Sequence, residues 1–316
     1  PTRPETRTCV NSARTPQPRG TLRGMSLPFA SIVCALIAAL LFACASVAQQ
    51  SAASAVPEDA ALMTTLLRSP RWWAGFVGDG GGYAMQAVAL ALGSVLVVQP
   101  LLVTALLFAL PLSAKFSGYR LSRTTWALAV ALAVALAIFL VIGDPTEGNI
   151  DAPFREWVLP LGILLAVVAV AAAAGMSKID PGWRALLLGG AGGILYGVAV
   201  AFTKYVVELV PRGLWAVLSS WQAWALVAAG LVGVYLQQRG FQVGPLSASL
   251  PALTIAEPLA AVFLGMTVLD ERLRVAGPGL VVVGCAVAVM LVATIGLSRS
   301  QAQRTSDTTA TSPVSS

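Results

Sequence analysis

Histidine does not occur in this 316-residue chain, which removes the commonest transition-metal ligand and general base. Charge is scarce as well. Asp, Glu, Lys and Arg make up 11% of the residues, where a soluble domain carries about 25%. A surface so poor in charge cannot face water over most of its area. The four cysteines, Cys9, Cys34, Cys44 and Cys285, have neither metal-ligand spacing nor the density of a disulfide framework. No acid stands with a nucleophile at helical spacing, so catalysis is not expected, and no cofactor motif occurs. The run GGAGG at 189–193 lacks the lysine and hydroxyl of a phosphate loop and reads as close helix packing.

Apolar sequence is what the chain has in quantity. Hydrophobic residues make up 57% of it and the mean hydropathy is +0.80. Uninterrupted apolar runs of about 20 residues recur, each long enough to cross a bilayer. The expected fold class is an all-α polytopic membrane protein, with the lipid bilayer as its first partner. The net charge of +6 is spread over short loops, so it points to membrane orientation and not to nucleic acid.

Breaks at charges and turns predict nine transmembrane helices, at 27–49, 71–93, 96–116, 124–143, 156–176, 185–208, 213–236, 244–268 and 276–297. A tenth span is the alternative count. The division inside 71–116 is the weakest, resting on Gly93 to Pro100 alone. The Arg-rich residues 1–24 read as a disordered or non-native leader before Met25, and the Ser- and Thr-rich tail from 298 as disordered. The loop at 51–70 has the composition of a short interfacial helix. With the N-terminus outside, inner loops and tail hold ten basic residues, among them Arg68, Lys115, Lys178, Arg184 and Arg239. Outer loops hold four, Arg155, Arg212, Arg272 and Arg274, which favours this orientation in a bacterial cytoplasmic membrane. The five arginines of residues 1–24, if they belong to the chain, nearly offset that bias.

Shifting the chain by 151 residues aligns 73–123 with 224–274 without gaps and gives ten identities. They include Trp73 with Trp224, Gly82 with Gly233, Gln86 with Gln237, Gly93 with Gly244, Pro100 with Pro251 and Arg123 with Arg274. Such residues do not match by apolar composition alone. Two four-helix repeats are expected, within 25–143 and 185–297, joined by 144–184 with one linking helix. Five spans between equivalent starts make the second repeat enter from the opposite side. Inverted repeats of this kind build alternating-access carriers with a midplane site.

The second half reads LQQRGFQVGPLSASLPALTIAEPLAAVFLGMTVLDERLR, and the first half has a corresponding QPLLVTALLFALPLSAKFSGYRLSR. The small-residue helix, EPL, the glycine-containing helix and the acidic-basic turn DERLR resemble the drug/metabolite transporter superfamily in its EamA-like form. The four-plus-one-plus-four count is similar to the NIPA-like magnesium-transporter branch. The resemblance covers about residues 27–297 and implies a secondary carrier of small solutes. It carries over no defined residue set.

Ionisable residues inside a span cost roughly 2.5–3.5 kcal/mol on insertion scales and therefore need a partner, a proton or a wet cavity. Asp79 stands in GDGGG, where four glycines would let the helix bend or unwind around a coordinating carboxylate. A hydrated kink is the plainer reading. Glu257 precedes Pro258 near the middle of the eighth span and is a candidate proton or cation site, or else a packing pair. Lys204 lies four residues before Glu208, on the same face, which predicts either a local pair or a cation facing an anionic substrate. Gln86 and Gln237, as repeat equivalents, would approach each other across the pseudo-twofold interface. Gln49, Gln50, Gln99 and Gln238 add polar lining.

The expected function is alternating-access secondary transport of a small metabolite or drug-like solute, coupled to a proton or ion. Divalent-cation transport, magnesium above all, is the first alternative, since Asp, Glu and Gln oxygens suit that ion. A non-transporting membrane scaffold is the second.

Overall fold

The computed structural model describes residues 21–53, 68–117, 121–146, 148, 152–244 and 246–310. Among them the elements are helices: α1 Thr21–Ala53, α2 Pro70–Leu92, α3 Val95–Leu102, α4 Ala105–Ser117, α5 Arg123–Gly143 and α6 Phe154–Met176. There follow α7 Pro181–Leu209, a 3₁₀ turn Val210–Arg212, α8 Leu214–Ser219, α9 Trp221–Val243, α10 Leu246–Thr267 and α11 Pro278–Ala310. Among the described residues seven segments are long and apolar enough to cross a membrane: Phe29–Ala48, Val95–Leu112, Arg123–Gly143, Phe154–Met176, Pro181–Arg212, Ala248–Thr267 and Pro278–Ser300. The described residues thus build a helical membrane protein. Helices α2 and α9 are as long as α6, but glycines and glutamines dilute their apolar content.

Serine hydroxyls start four of these helices. Ser69, Ser94, Ser122 and Ser220 each have extended backbone and accept a hydrogen bond from the N–H three residues on, satisfying an orphan donor of the first turn. The seventh expected span, 213–236, is accordingly corrected. Ser220 restarts the chain after short α8, and the long helix is Trp221–Val243. Thr104 interrupts the third span by bonding its hydroxyl to Leu101 O, 2.6 Å, between α3 and α4. At the C-terminus α11 continues to Ala310, where disorder from 298 was expected. Gln301, Ala302, Gln303 and Arg304 are good helix formers and carry the backbone ladder on. Residues 1–20, the interfacial helix expected at 51–70 (beyond the residues of α1 and α2) and 311–316 lie outside the described residues.

Helix α7 is the most enclosed span and α6 the least. Glycine makes the enclosure possible. A Cβ at Gly193 would lie 3.0 Å from the Ala256 Cβ, and one at Gly197 would lie 2.8 Å from Ala261 N, so α10 rests directly on the α7 backbone. Gly192 similarly admits the backbone of α9 at Gln237, 3.2 Å away. This is close packing through small residues, as expected for GGAGG. On the other side, α1 packs against α2, α3 and α4, and α11 against α5.

The glycines around Asp79 do not open the helix. Residues 78–82 lie inside continuous α2. Gly78 faces Ala45 and Gly82 faces the Phe42 ring, with added Cβ atoms at 3.2 and 2.8 Å, so contact with α1 offsets their low propensity. A Cβ added at Gly80 would meet no other element within 4 Å among the described residues. Gly80→Ala is therefore expected to stabilise the protein by about 0.5–1 kcal/mol, and Gly82→Ala to destabilise it. Unfolding of both variants in detergent micelles checks this, and equal shifts would contradict the packing account.

A buried ion pair across a broken helix

Between α2 and α3 the chain breaks at Gly93, whose backbone is extended, and Ser94, which caps α3. A break of this kind inside apolar surroundings exposes the last carbonyls of one helix and the first N–H groups of the next, all needing partners. Gly93 presses against α1, where a side chain would collide with the Ser31 hydroxyl, and Ser31 donates to Ala89 O at 2.9 Å. The α2 end is met by Lys204 of α7, whose Nζ donates to Gly93 O at 2.6 Å and to Leu90 O at 3.4 Å. The α3 start is met by Glu271, from the loop after α10. Its Oε1 accepts from Val95 N at 2.8 Å and its Oε2 from Leu96 N at 2.9 Å.

Lys204 Nζ and Glu271 Oε1 are 3.5 Å apart, and the two side chains are 4% and 0% exposed. Each charge lies at the helix end of opposite partial charge: the cation at a C-terminus, the anion at an N-terminus. Burial pushes the Glu271 carboxyl up from its ordinary value, while Lys204 and the two amides pull it back down. One more donor lies on the same short helix, a turn beyond Val95. Gln99 is 2% exposed and its Nε2 has no hydrogen-bond partner among the described residues.

Loop geometry explains how Glu271 arrives there. Asp270 closes α10 in the left-handed region, φ 52°, a conformation Asp tolerates better than most residues, and Glu271 N bonds back to Gly265 O at 3.0 Å. The next residues are extended, so side chains alternate. Asp270, Arg272 and Arg274 are exposed, while Glu271 is buried and Leu273 half-buried. Outside, Arg272 pairs with Asp270 at 2.7 Å. The strip is held by residues 144–146 after α5: Thr146 N donates to Arg272 O at 2.8 Å, and Pro145 bridges to Leu273.

The residues singled out from the sequence fall in different places. Lys204 is corrected from a pairing with Glu208. Its ion pair is with Glu271, because the helix break supplies carbonyls to its ammonium and the loop after α10 brings an acid to the same place. Gln237 of α9 accepts a short hydrogen bond from the Tyr196 hydroxyl of α7, so α7 takes the amide that was expected to meet Gln86. Gln86 is buried on α2. Asp79 is half-buried on the same helix, and one turn on, Tyr83 shares a hydrogen bond of 2.6 Å with Thr203, the neighbour of Lys204. Glu257 is half-buried on α10, its carbonyl against Gly197. Among the described residues no three His, Cys, Asp or Glu side chains come together as metal ligands. Glu271 was not singled out from the sequence, since an acid in a charged turn normally points to water.

No family model matches the chain, and no solved structure matches it. It is 39% identical, over 281 residues, to an uncharacterized protein of Corynebacterium glutamicum, a match covering 85% of this chain and 94% of that one. The chain belongs to that protein's family.

Proposed function

We propose that this family of membrane proteins consists of secondary carriers of the drug/metabolite transporter type, moving a small solute across a bacterial cytoplasmic membrane by alternating access. The observation that carries the reading is the Lys204–Glu271 pair. It binds a helix break of the first half to a helix and a loop of the second, and broken helices are where carriers of this architecture work.

Nine crossings in two inverted repeats are part of the proposal. Support comes from element boundaries. Helix α2 and helix α9 start and end 151 residues apart, as do the starts of α3 and α10. Ser69 and Ser220 cap the first pair, each accepting at 3.4 Å. Gly93 and Gly244 end it, both with extended backbone. Gly82 lies under the Phe42 ring and Gly233 under the Tyr196 ring, so each repeat seats an aromatic of its first helix on the same glycine. Nine alternating crossings also put the joints at Gly93, Pro145, Arg212 and Glu271 on one side, in line with the contacts of Lys204, Glu271 and Leu273.

Asp79 and Glu257 are the proposed coupling groups, because protonation removes a charge that is costly at membrane depth and so shifts the balance of inward- and outward-open states. In proteoliposomes, Asp79→Asn and Glu257→Gln are each expected to abolish the pH dependence of solute flux while the protein stays folded. Unchanged pH dependence in both variants would remove these residues from the mechanism. Comparing solutes retained and released by cells with and without the gene identifies the cargo, and no difference across a broad solute panel counts against transport.

A further inference from the structure

We propose that the outer face of α6 and α7 holds an anionic phospholipid, one acyl chain lying along the helices and the phosphate gripped by Arg184 and Lys178. A groove of about 430 Å³ runs between these helices, lined by Ala166, Val167, Val170, Ala171, Ala174 and Leu187. The residues lining it are all apolar, and three of them are alanines along α6. From Ala166 to Ala174 it follows α6 for about 12 Å at 1.5 Å per residue, a length that fits a large part of one acyl chain. Helix α6 is the least enclosed span, and Val170 beside the groove is 70% exposed, so lipid is what meets it.

The charge at one end selects the lipid. Gly175 follows the last groove alanine, and its carbonyl accepts from Arg184 Nε at 3.1 Å, pinning the guanidinium where the groove stops. A planar guanidinium held by Nε presents its Nη groups to a phosphate. Lys178 is exposed in the turn three residues on. The acid here is Asp180, whose Oδ1 already accepts from Gly182 N and Trp183 N as the cap of α7. Two cations against one committed carboxylate favour an anionic headgroup over a zwitterionic one, by about fivefold for each basic residue that reaches the phosphate.

Native mass spectrometry of the full chain from detergent, with dioleoyl phosphatidylglycerol and dioleoyl phosphatidylcholine in equal amounts, tests this. The unaltered protein is expected to retain the glycerol lipid at least fivefold over the choline lipid. Lys178→Gln, an exposed substitution, should lower that preference about fivefold, and adding Arg184→Gln should lower it further. Ala171→Phe fills the groove and should reduce retention of both lipids with every charge intact. Equal retention of the two lipids by the unaltered protein overturns the proposal. So does a preference unmoved by Lys178→Gln, or retention unmoved by Ala171→Phe.

Discussion

Glu271→Ala is expected to lower the stability of the protein by about 3–5 kcal/mol, the cost of removing one partner from a buried pair. Two donors, Val95 N–H and Leu96 N–H, lose their acceptor, and the Lys204 ammonium loses its counter-charge. Lys204→Met should be comparably costly, since Gly93 O and Leu90 O lose their donor. The informative variant is the double one. Replacing both members of an ordinary buried ion pair with apolar residues is often neutral. Here Lys204→Met with Glu271→Leu is expected to remain destabilised, because the backbone groups on both sides of the break stay unsatisfied at about 1–3 kcal/mol each. A double-mutant cycle measured by unfolding in mixed micelles gives both numbers. A near-normal double variant would mean the charges only neutralise each other and do not cap the helix ends.

The second large effect concerns α7. Gly197→Leu is expected to prevent α10 from docking, with a loss well above the 1–3 kcal/mol usual for overpacking. The atoms in the way are backbone, Glu257 O and Ala261 N, together with the Ala260 Cβ, and no side-chain rotation removes them. Even Gly197→Ala places its methyl 2.7 Å from that Cβ. Gly190→Ala serves as the control. Its methyl would reach the Ala252 Cβ at 4.0 Å, an ordinary contact, and losing a mid-helix glycine should stabilise by up to about 1 kcal/mol. Thermal unfolding with size-exclusion profiles reads both, and a well-folded Gly197→Leu protein would disprove the direct seating of α10 on α7. Because Glu257 supplies the obstructing carbonyl, Gly197→Ala should also disturb whatever Glu257 does.

Helix positions were legible because apolar runs ended by charge or serine have few other solutions. Seven of the nine expected spans overlie segments able to cross a bilayer, and most edges fall within a few residues. Glycine was the ambiguous letter. In GDGGG it suggested a hinge, yet Gly78 and Gly82 serve contact with α1, while the real break came at Gly93, where serine follows as a cap. Sequence composition does not say which face a glycine occupies. Lys204 drew notice as a charge in a span, but local spacing pointed to the wrong acid. Its partner is 67 positions away, in a turn whose period of two, with Asp270 and Arg272 out and Glu271 in, becomes informative only once the loop is known to be extended. Asp79, Glu257, Gln86 and Gln237 could be placed in their helices from the sequence; their neighbours could not.

The Glu271 cap also has a consequence in time. Val95 leaves the ribosome 176 residues before the carboxylate that will bind its N–H, and Lys204 arrives 67 residues before its counter-charge. At about 5–20 residues per second, the start of α3 waits roughly 9–35 seconds in the membrane for its partner. Through that interval the amides of Val95 and Leu96 must be served by water, lipid headgroups or the insertion machinery. The joint therefore becomes native only once the chain has reached Glu271, and its completion reports that most of the second half has arrived.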